Sequence, residues 1–172
     1  MTFPESHAPL IVNDKTFDLS HLNAFSTVIT GKGMQKGTDL NVYVCFSNHV
    51  FTYRAKHGEK YDLLDHHGSK RRFDLDRYNF SQSLPSLLKS ELEKDGLTFV
   101  SRSFGGIDNL ILLQMAGRTW TVVFCFEPIE CGVRMEILSS HPKDLNQAKI
   151  SRKQISYFAR TCAFTRERIP KI

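Results

Sequence analysis

A histidine lies near the end of an apolar, strand-like stretch of this sequence, and it is the residue best suited to acid–base chemistry. The stretch runs from Val42 to Thr52 and brings Ser47 and His49 to the point where apolar residues give way to polar ones. Because strand side chains alternate between two faces, Ser47, His49 and Phe51 are predicted to share one face. An imidazole exchanges protons near neutral pH, since its reference pKa is about 6.5. His49 is therefore the first candidate for a catalytic group.

Arginines that could bind a phosphodiester follow this histidine. They are Arg54, Arg71, Arg72 and Arg77. Guanidinium forks match phosphate oxygens, and Ser47 or Thr52 could orient the imidazole or bind an anion. These residue types can perform metal-independent ribonuclease cleavage, in which a 2′-hydroxyl attacks its own phosphate. The alternative is structural: His49 satisfies a strand end by hydrogen bonding, because buried polar groups are usually paired.

A second histidine cluster invites a metal-site interpretation. His66 and His67 stand close to His57, Asp62 and Asp65 in the sequence. Adjacent histidines at a turn rarely point at one ion, and these spacings are not those of zinc ligands. A solvated loop is the favoured interpretation, and no metal is expected.

A further histidine lies at the end of the last predicted strand. His141 follows Ser139 and Ser140 there, and it could pair with His49 as a supporting catalytic residue. The alternative is a capped strand end before Pro142, since turns attract serine and proline for local reasons.

Composition and charge favour an anionic partner. The 172 residues carry a net charge of +5, with 41% hydrophobic and 24% charged residues, which is ordinary for one globular domain. Positive charge favours nucleic acid or an acidic protein as the partner, although mild basicity for solubility is also common. A C-terminal patch adds to this charge: Lys149, Arg152, Lys153, Arg160, Arg166, Arg168 and Lys171. Arg152 and Lys153 are included among the predicted nucleic-acid-binding residues.

Cofactor, membrane and secretion signals are not found. Cys45, Cys125, Cys131 and Cys162 form no C-x-x-C pair, and buried reduced thiols are preferred over zinc ligands or a disulfide framework. The glycines from Gly31 onward lack the spacing of a phosphate loop, so no cofactor is expected. Neither a signal peptide nor an apolar run of about 18 residues is present, which predicts a cytoplasmic protein.

The hydrophobic pattern predicts an α+β fold, in a single domain of residues 1–172, whose elements position these residues. Residues 39–46 form a strand that residues 50–54 could extend, and residues 55–79 form a long polar segment with a hairpin tip at 65–68. Ser83 begins a central helix that ends at Asp95 and Gly96. An antiparallel meander follows, with strands at 97–104, 108–116, 119–127 and 132–140. A loose arm over 1–9, a sheet of about four to five strands and a C-terminal helix over 149–164 complete the prediction.

Short motifs over about residues 17–140 resemble a poorly characterised family of small bacterial proteins from mobile elements. The motifs are Ser47-Asn48-His49-Val50-Phe51-Thr52, Arg72-Phe73-Asp74 with Arg77-Tyr78, and Ser83-Leu84-Pro85. The helix followed by a meander with basic residues also resembles, more loosely, the RelE-type ribonuclease toxins. This chain is longer than those toxins, and its histidine precedes the helix. The resemblance to RelE-type toxins implies an RNA substrate, and an antitoxin-like protein is the further candidate partner of a toxin.

Two functions are therefore predicted. The first is a toxin-like or defence-related, RNA-acting protein, in which His49 is the acid–base group, the arginines bind phosphate and Ser47, Thr52 and His141 give support. The second is a non-catalytic binding module for nucleic acid or an acidic protein, which uses residues 54–77 and the basic C-terminus. A weaker third possibility is a homo-oligomeric structural protein that associates through its C-terminal helix.

Overall fold

A mixed β-sheet is the largest element of this computed structural model, which describes residues 4–35, 37–101, 109–115, 119–142 and 152–171. In chain order the strands are β1 (Leu10–Val12), β2 (Lys15–Phe17), β3 (Phe25–Ile29), β4 (Leu40–Phe46), β5 (Thr52–Arg54), β6 (Leu63–Leu64), β7 (Lys70–Phe73), β8 (Leu97–Ser101), β9 (Asn109–Met115), β10 (Thr119–Ile129), β11 (Gly132–Pro142) and β12 (Arg152–Gln154). The helices are α1 (Leu75–Ser81), α2 (Leu84–Glu93) and α3 (Ile155–Thr165). Single 3₁₀ turns lie at Ser20–Leu22, Gly33–Gln35 and Asn48–Val50.

Seven strands of the described residues form this sheet, in the order β12-β8-β9-β10-β11-β4-β3. β8, β9, β10 and β11 pair antiparallel with their chain neighbours and the fold is α+β as predicted, but the sheet as a whole is not the simple antiparallel meander that was expected. The predicted count of four to five strands is wrong, because β4 and β3 extend one edge and β12 extends the other. β4 joins the meander by running parallel to β11, and hydrophobic periodicity identifies strands without identifying such partners.

The main core lies on one face of this sheet, beneath the helices. Val42, Val44 and Phe46 of β4 are fully buried there, together with residues of β10, β11, α2 and α3. Trp120 stacks on Phe80 of α1, with ring centroids 4.2 Å apart and ring planes 2° from parallel. The single tryptophan of the chain is therefore a core residue.

A second, three-stranded sheet is formed by β5, β7 and β6. The predicted extension of the 39–46 strand through residues 50–54 is wrong. The 3₁₀ turn Asn48–Val50 ends β4, and β5 after it belongs to this second sheet. The predicted hairpin tip at 65–68 is confirmed: the Gly68 amide donates to the Asp65 carbonyl at 2.9 Å. Residues 55–79 thus contain two strands and most of α1, which precedes the predicted central helix α2.

The C-terminal helix is shorter than predicted. α3 begins at Ile155, and Arg152 and Lys153 belong to β12, which pairs with β8 at the sheet edge. The Ile155 amide donates to the Gly96 carbonyl at 2.9 Å, so a long-range contact decides where this helix starts. The end of the predicted strand 97–104 and the start of the predicted helix, including Lys149, lie outside the described residues.

Candidate functional site

The 3₁₀ turn after β4 positions His49. Ser47 caps this turn: its hydroxyl accepts a hydrogen bond from the His49 amide at 3.0 Å and donates one to the Leu138 carbonyl of β11 at 2.7 Å. Ser47 is buried. Its hydroxyl therefore anchors the turn to the sheet, and the predicted strand-like alternation of Ser47, His49 and Phe51 is wrong because residues 48–50 are not extended.

An aspartate from the hairpin tip holds the His49 ring. Nε2 of His49 lies 3.0 Å from Oδ2 of Asp65, with side-chain exposures of 28% and 3% respectively. The other carboxylate oxygen accepts hydrogen bonds from the amides of His67 at 3.0 Å and Ser69 at 2.8 Å. The carboxylate is thus fixed by the hairpin backbone, and it in turn fixes the imidazole.

The electrostatics of the pair keep the imidazole neutral and the carboxyl ionised. Burial lowers the pKa of His49, and the nearby Arg71 charge lowers it further, against the opposing effect of Asp65. Burial raises the pKa of Asp65, but the hydrogen bonds from His49 and the Ser69 and His67 amides outweigh this and leave it below its usual value. Because a carboxylate only accepts, Nε2 carries the ring proton and Nδ1 is the basic nitrogen. This arrangement suits a proton acceptor.

The 3₁₀ turn is also held by hydrogen bonds from the side chains of Thr52, Arg71 and Arg77. The buried Thr52 hydroxyl donates to the Asn48 carbonyl at 2.6 Å and accepts from Nε of Arg71 at 3.1 Å. Nη2 of Arg71 lies 3.2 Å from the Thr52 carbonyl, and Nη1 of Arg77 reaches the carbonyls of Thr52 and His49 at 2.8 and 3.2 Å. Burial lowers the pKa of Arg71 to about 10. These groups are occupied by main-chain and hydroxyl oxygens of the turn.

The structure places His141 on the other side of the sheet. Ser140 donates to the Val50 carbonyl at 3.1 Å, so its side chain faces the turn. Consecutive strand residues point to opposite faces, and His141 pairs with Thr121 in the next register position. The His141 side chain therefore does not lie on the face of β11 that packs against the turn containing His49.

The predicted phosphate-binding residues fall into separate groups. Arg54 and Arg72 are in the small sheet with Arg71, whereas Arg152 and Lys153 are on β12 at the far edge of the large sheet. β12 and β4 are separated by five strand spacings, or about 24 Å at about 4.8 Å per spacing. The two groups are therefore independent surfaces.

A cleft beside the hairpin gathers exposed cations. Its volume is about 740 Å³, and its lining contains Arg54, Lys56, Lys60 and Lys70 with Glu59 as the one carboxylate of the described lining. We call these residues, with Tyr61, the basic cleft. Nζ of Lys70 lies 5.1 Å from the centroid of the Tyr61 ring. Ser69 also lines the cleft. Its backbone amide donates a hydrogen bond to Asp65, whose other oxygen contacts His49, so the Asp65 carboxylate connects this surface to His49.

Asp65 is the site residue that sequence reasoning did not assign to His49. Its position beside the adjacent histidines suggests a metal ligand instead. The available signal was its place as the first residue of Asp65-His66-His67-Gly68, where an aspartate commonly accepts amides of its own turn. That signal explains one carboxylate oxygen, whereas the bond of the other to His49 depends on tertiary placement.

One group of possible metal ligands occurs elsewhere in the described residues. Ligand atoms of Cys125, Glu127 and Glu136 lie within 4.8 Å of one another. Arg134 pairs with Glu136 at 2.9 Å and Arg168 with Glu127 at 3.0 Å, while burial raises the pKa of the Cys125 thiol. The carboxylates are neutralised by protein cations and the thiol is protonated, so this group is satisfied as an ion-pair cluster.

All four cysteines are free thiols. Cys45, Cys125 and Cys162 are buried as expected, whereas the expectation of burial is wrong for Cys131, which is exposed. Burial raises the pKa of Cys45 to about 12 and that of Cys162 to about 11. Since the thiolate is the nucleophilic form, these two buried thiols are unreactive at neutral pH.

Residues 9–164 match the sequence model of the YjaZ family. The chain belongs to the YjaZ family. The match extends from just before β1 to the last turn of α3, and so includes His49, Asp65 and the basic cleft. The predicted membership of a poorly characterised family is thereby confirmed, and the origin from mobile elements stays a prediction. No curated protein and no solved structure gives a significant match. Among the described residues, no helix has the length and apolar character needed to cross a membrane.

Proposed function

We propose that this YjaZ-family protein is a binding module for single-stranded RNA, and that the basic cleft holds the RNA backbone. The observation that carries the proposal is the concentration of four exposed cations around one cavity. Phosphate neutralisation by lysine and arginine supplies most of the affinity of non-specific nucleic-acid binding. A cleft lined by such cations is a suitable backbone track.

The cations of the cleft are available to a ligand. Arg54, Lys56, Lys60 and Lys70 form no ion pair with another described residue, and Glu59 is engaged by Arg72 at 3.8 Å and by the Lys56 amide at 2.8 Å. The C-terminal patch differs, because Arg160 and Arg166 are used within the fold. Arg160 donates to the Thr38 carbonyl and Arg166 to the Ile129 carbonyl, each at 2.7 Å. The cleft is therefore the favoured anion-binding surface.

Aromatic side chains favour RNA over an acidic protein. Tyr61 is 47% exposed at the cleft, and Tyr53 of β5 lies beneath Arg72, 5.9 Å from ring centroid to guanidinium carbon. Bases stack on such rings in single-stranded complexes, with a contribution of about 1–3 kcal/mol per base. An acidic peptide would use the lysines but would not stack on the exposed Tyr61 ring of the cleft.

Binding of a labelled single-stranded RNA, measured by fluorescence anisotropy at about 50 and 200 mM salt, tests the proposal. Lys60→Gln with Lys70→Gln removes two charges from the cleft, and Arg152→Gln with Lys153→Gln removes two from β12 as a matched control. The cleft variant should bind about tenfold or more weakly, with a salt slope reduced by about 1.4. The control should change affinity less than about twofold. Equal effects of the two variants, or binding that does not depend on salt, would overturn the proposal.

A second candidate is a toxin-like, metal-independent ribonuclease of a mobile element, and the His49–Asp65 pair favours it. A neutral imidazole with its Nδ1 lone pair available could take the proton of a 2′-hydroxyl. The neighbouring arginines argue against nuclease activity. Arg71 and Arg77 already donate to the Thr52 hydroxyl and to the carbonyls of Thr52 and His49, so they are not open to a phosphate. Wild type and His49→Ala are compared for growth arrest and for RNA integrity. Intact RNA and normal growth with the wild type would contradict nuclease activity.

A further inference from the structure

A smaller cavity shares the β6–β7 hairpin with the basic cleft. Its volume is about 210 Å³, and its apolar lining includes Leu10, Leu19, Phe51 and Leu63. His66 of the hairpin tip also lines it. Leu63 stands two residues after Tyr61 of the cleft, which is about 7 Å along an extended chain. The two cavities are thus close enough to receive different parts of one nucleotide strand.

The size of this cavity suits one planar ring system. An apolar cavity of about 150 Å³ accommodates benzene, so about 210 Å³ provides room for a somewhat larger heterocycle. Pro4, His7 and Ala8 form part of its wall. This segment is held in place, because the Ala24 amide donates to the Glu5 carbonyl at 2.8 Å and the His7 ring packs edge-on against Phe51 at 5.8 Å between centroids. The described part of the N-terminal arm is therefore packed against the domain.

The polar groups of the cavity are uncharged. No lysine, arginine, aspartate or glutamate of the described residues lines it, and the candidates for recognition are His7, His66 and Asn48. Burial lowers the pKa of both His7 and His66. Nε2 of His7 lies 3.1 Å from the Phe46 carbonyl and so donates its proton there, which leaves Nδ1 as an acceptor. An acceptor nitrogen and a side-chain amide match the mixed donor and acceptor edge of a nucleobase.

We infer that this cavity receives one unstacked nucleobase of the RNA strand whose backbone lies in the basic cleft. The inference rests on the proposed function, and it assigns base contacts to one side of the hairpin and phosphate contacts to the other. Single-stranded RNA is commonly recognised with bases splayed out against aromatic and imidazole rings. An uncharged, mostly apolar lining excludes phosphate from the cavity, whereas the cationic cleft attracts it.

Two neighbouring substitutions in β1 test this inference. Leu10→Trp fills the cavity, whereas Ile11→Trp adds the same ring at a position that is 68% exposed and does not line the cavity. Thermal melting first establishes that both variants fold. Affinity is then measured for a short single-stranded RNA and for the same backbone without bases. Leu10→Trp should weaken binding of the normal RNA about tenfold and leave binding of the abasic strand unchanged, and Ile11→Trp should alter neither.

The outcomes separate this inference from the proposed function. If Leu10→Trp binds the normal RNA as tightly as wild type does, the base site is wrong while salt-dependent binding in the cleft still stands. If neither strand binds the wild type, both proposals fail. Addition of adenosine, cytidine or guanosine to the wild type gives a direct check, since occupancy should shift the ring-proton NMR signals of His7 and His66. Signals that do not move at saturating nucleoside would overturn the base site.

Discussion

Nε2 of His49 and Oδ2 of Asp65 are 3.0 Å apart and join two parts of the fold that have separate sheets. His49 belongs to the turn that Ser47 anchors on β11, and Asp65 belongs to the β6–β7 hairpin. The second oxygen of Asp65 holds the amide of Ser69, which lines the basic cleft. A change at this carboxylate is therefore expected to affect the hairpin, the cleft and the tautomer of His49 by distinguishable routes.

Asp65→Asn is expected to keep the hairpin and change the histidine. The amide oxygen can still accept from His67 and Ser69, while the amide nitrogen would donate to His49 and shift its proton to Nδ1. The ¹⁵N chemical shifts of the His49 ring report the tautomer. RNA affinity should stay within about twofold of wild type, whereas any His49-dependent ribonuclease activity should fall at least about a hundredfold. An unchanged tautomer would contradict the hydrogen-bond assignment.

Asp65→Ala serves as the contrasting variant. It leaves the amides of His67 and Ser69 without their acceptor, so the free energy of unfolding should fall by about 1–3 kcal/mol. Urea denaturation measures this. If Asp65→Ala and Asp65→Asn lower the free energy of unfolding equally, the hydrogen bonds from the His67 and Ser69 amides do not hold the hairpin tip.

Arg71→Lys is expected to destabilise the protein although it keeps the charge. The guanidinium of Arg71 bonds both the hydroxyl and the carbonyl of Thr52, and a lysine cannot reproduce this fork. The free energy of unfolding should fall by about 1–3 kcal/mol. Arg72→Lys is the matched control: Arg72 lies on the outer side, 3.8 Å from Glu59, and its replacement should cost less than about 0.5 kcal/mol. Equal losses would show that Arg71 does not act as a clamp.

Stability is expected to decrease as the pH falls from about 7.5 to about 5.5. Burial lowers the pKa of His7 and of His49 in the folded protein, so the unfolded chain binds more protons once the pH drops through about 6.5. The stabilisation is complete above that value and declines below it. The Asp65 carboxyl, whose pKa is below its usual value, acts in a more acidic range and is not titrated here. Urea denaturation followed by Trp120 fluorescence measures the slope, and His7→Gln should reduce it.

The β8–β11 meander and the start of α2 follow from local pattern. Strand alternation identifies the former, and Ser83 with Pro85 in the first turn identifies the latter. The parallel pairing of β4 with β11 does not follow from local pattern, because Val42 and its partner Val133 are far apart in the sequence and become neighbours only in the folded protein. The sequence does not predict β12 either, because its three polar residues show no strand pattern of their own and form a strand by pairing with β8.

The polar end of an apolar strand predicts His49 as a candidate residue, but it does not predict how the neighbouring side chains are used. Thr52, Arg71 and Arg77 have the residue types of a phosphate site, yet the turn Asn48–Val50 presents backbone carbonyls that these side chains satisfy. Residue type alone cannot tell whether an arginine is occupied by the fold or open to a ligand.

Gly132→Ala is expected to disturb the junction that brings β4 beside β11. Gly132 has φ of +144°, and a Cβ there would collide with the backbone carbonyl of Asn41 in β4. Gly68→Ala is the matched control, because Gly68 also has positive φ, +75°, but its Cβ would meet no described atom within 4 Å. The control should lose about 1 kcal/mol of stability from backbone strain alone. Gly132→Ala should lose about 2–4 kcal/mol, since steric overlap adds to the strain. Urea denaturation of both variants gives the comparison, and equal losses would mean that β4 shifts freely away from the turn.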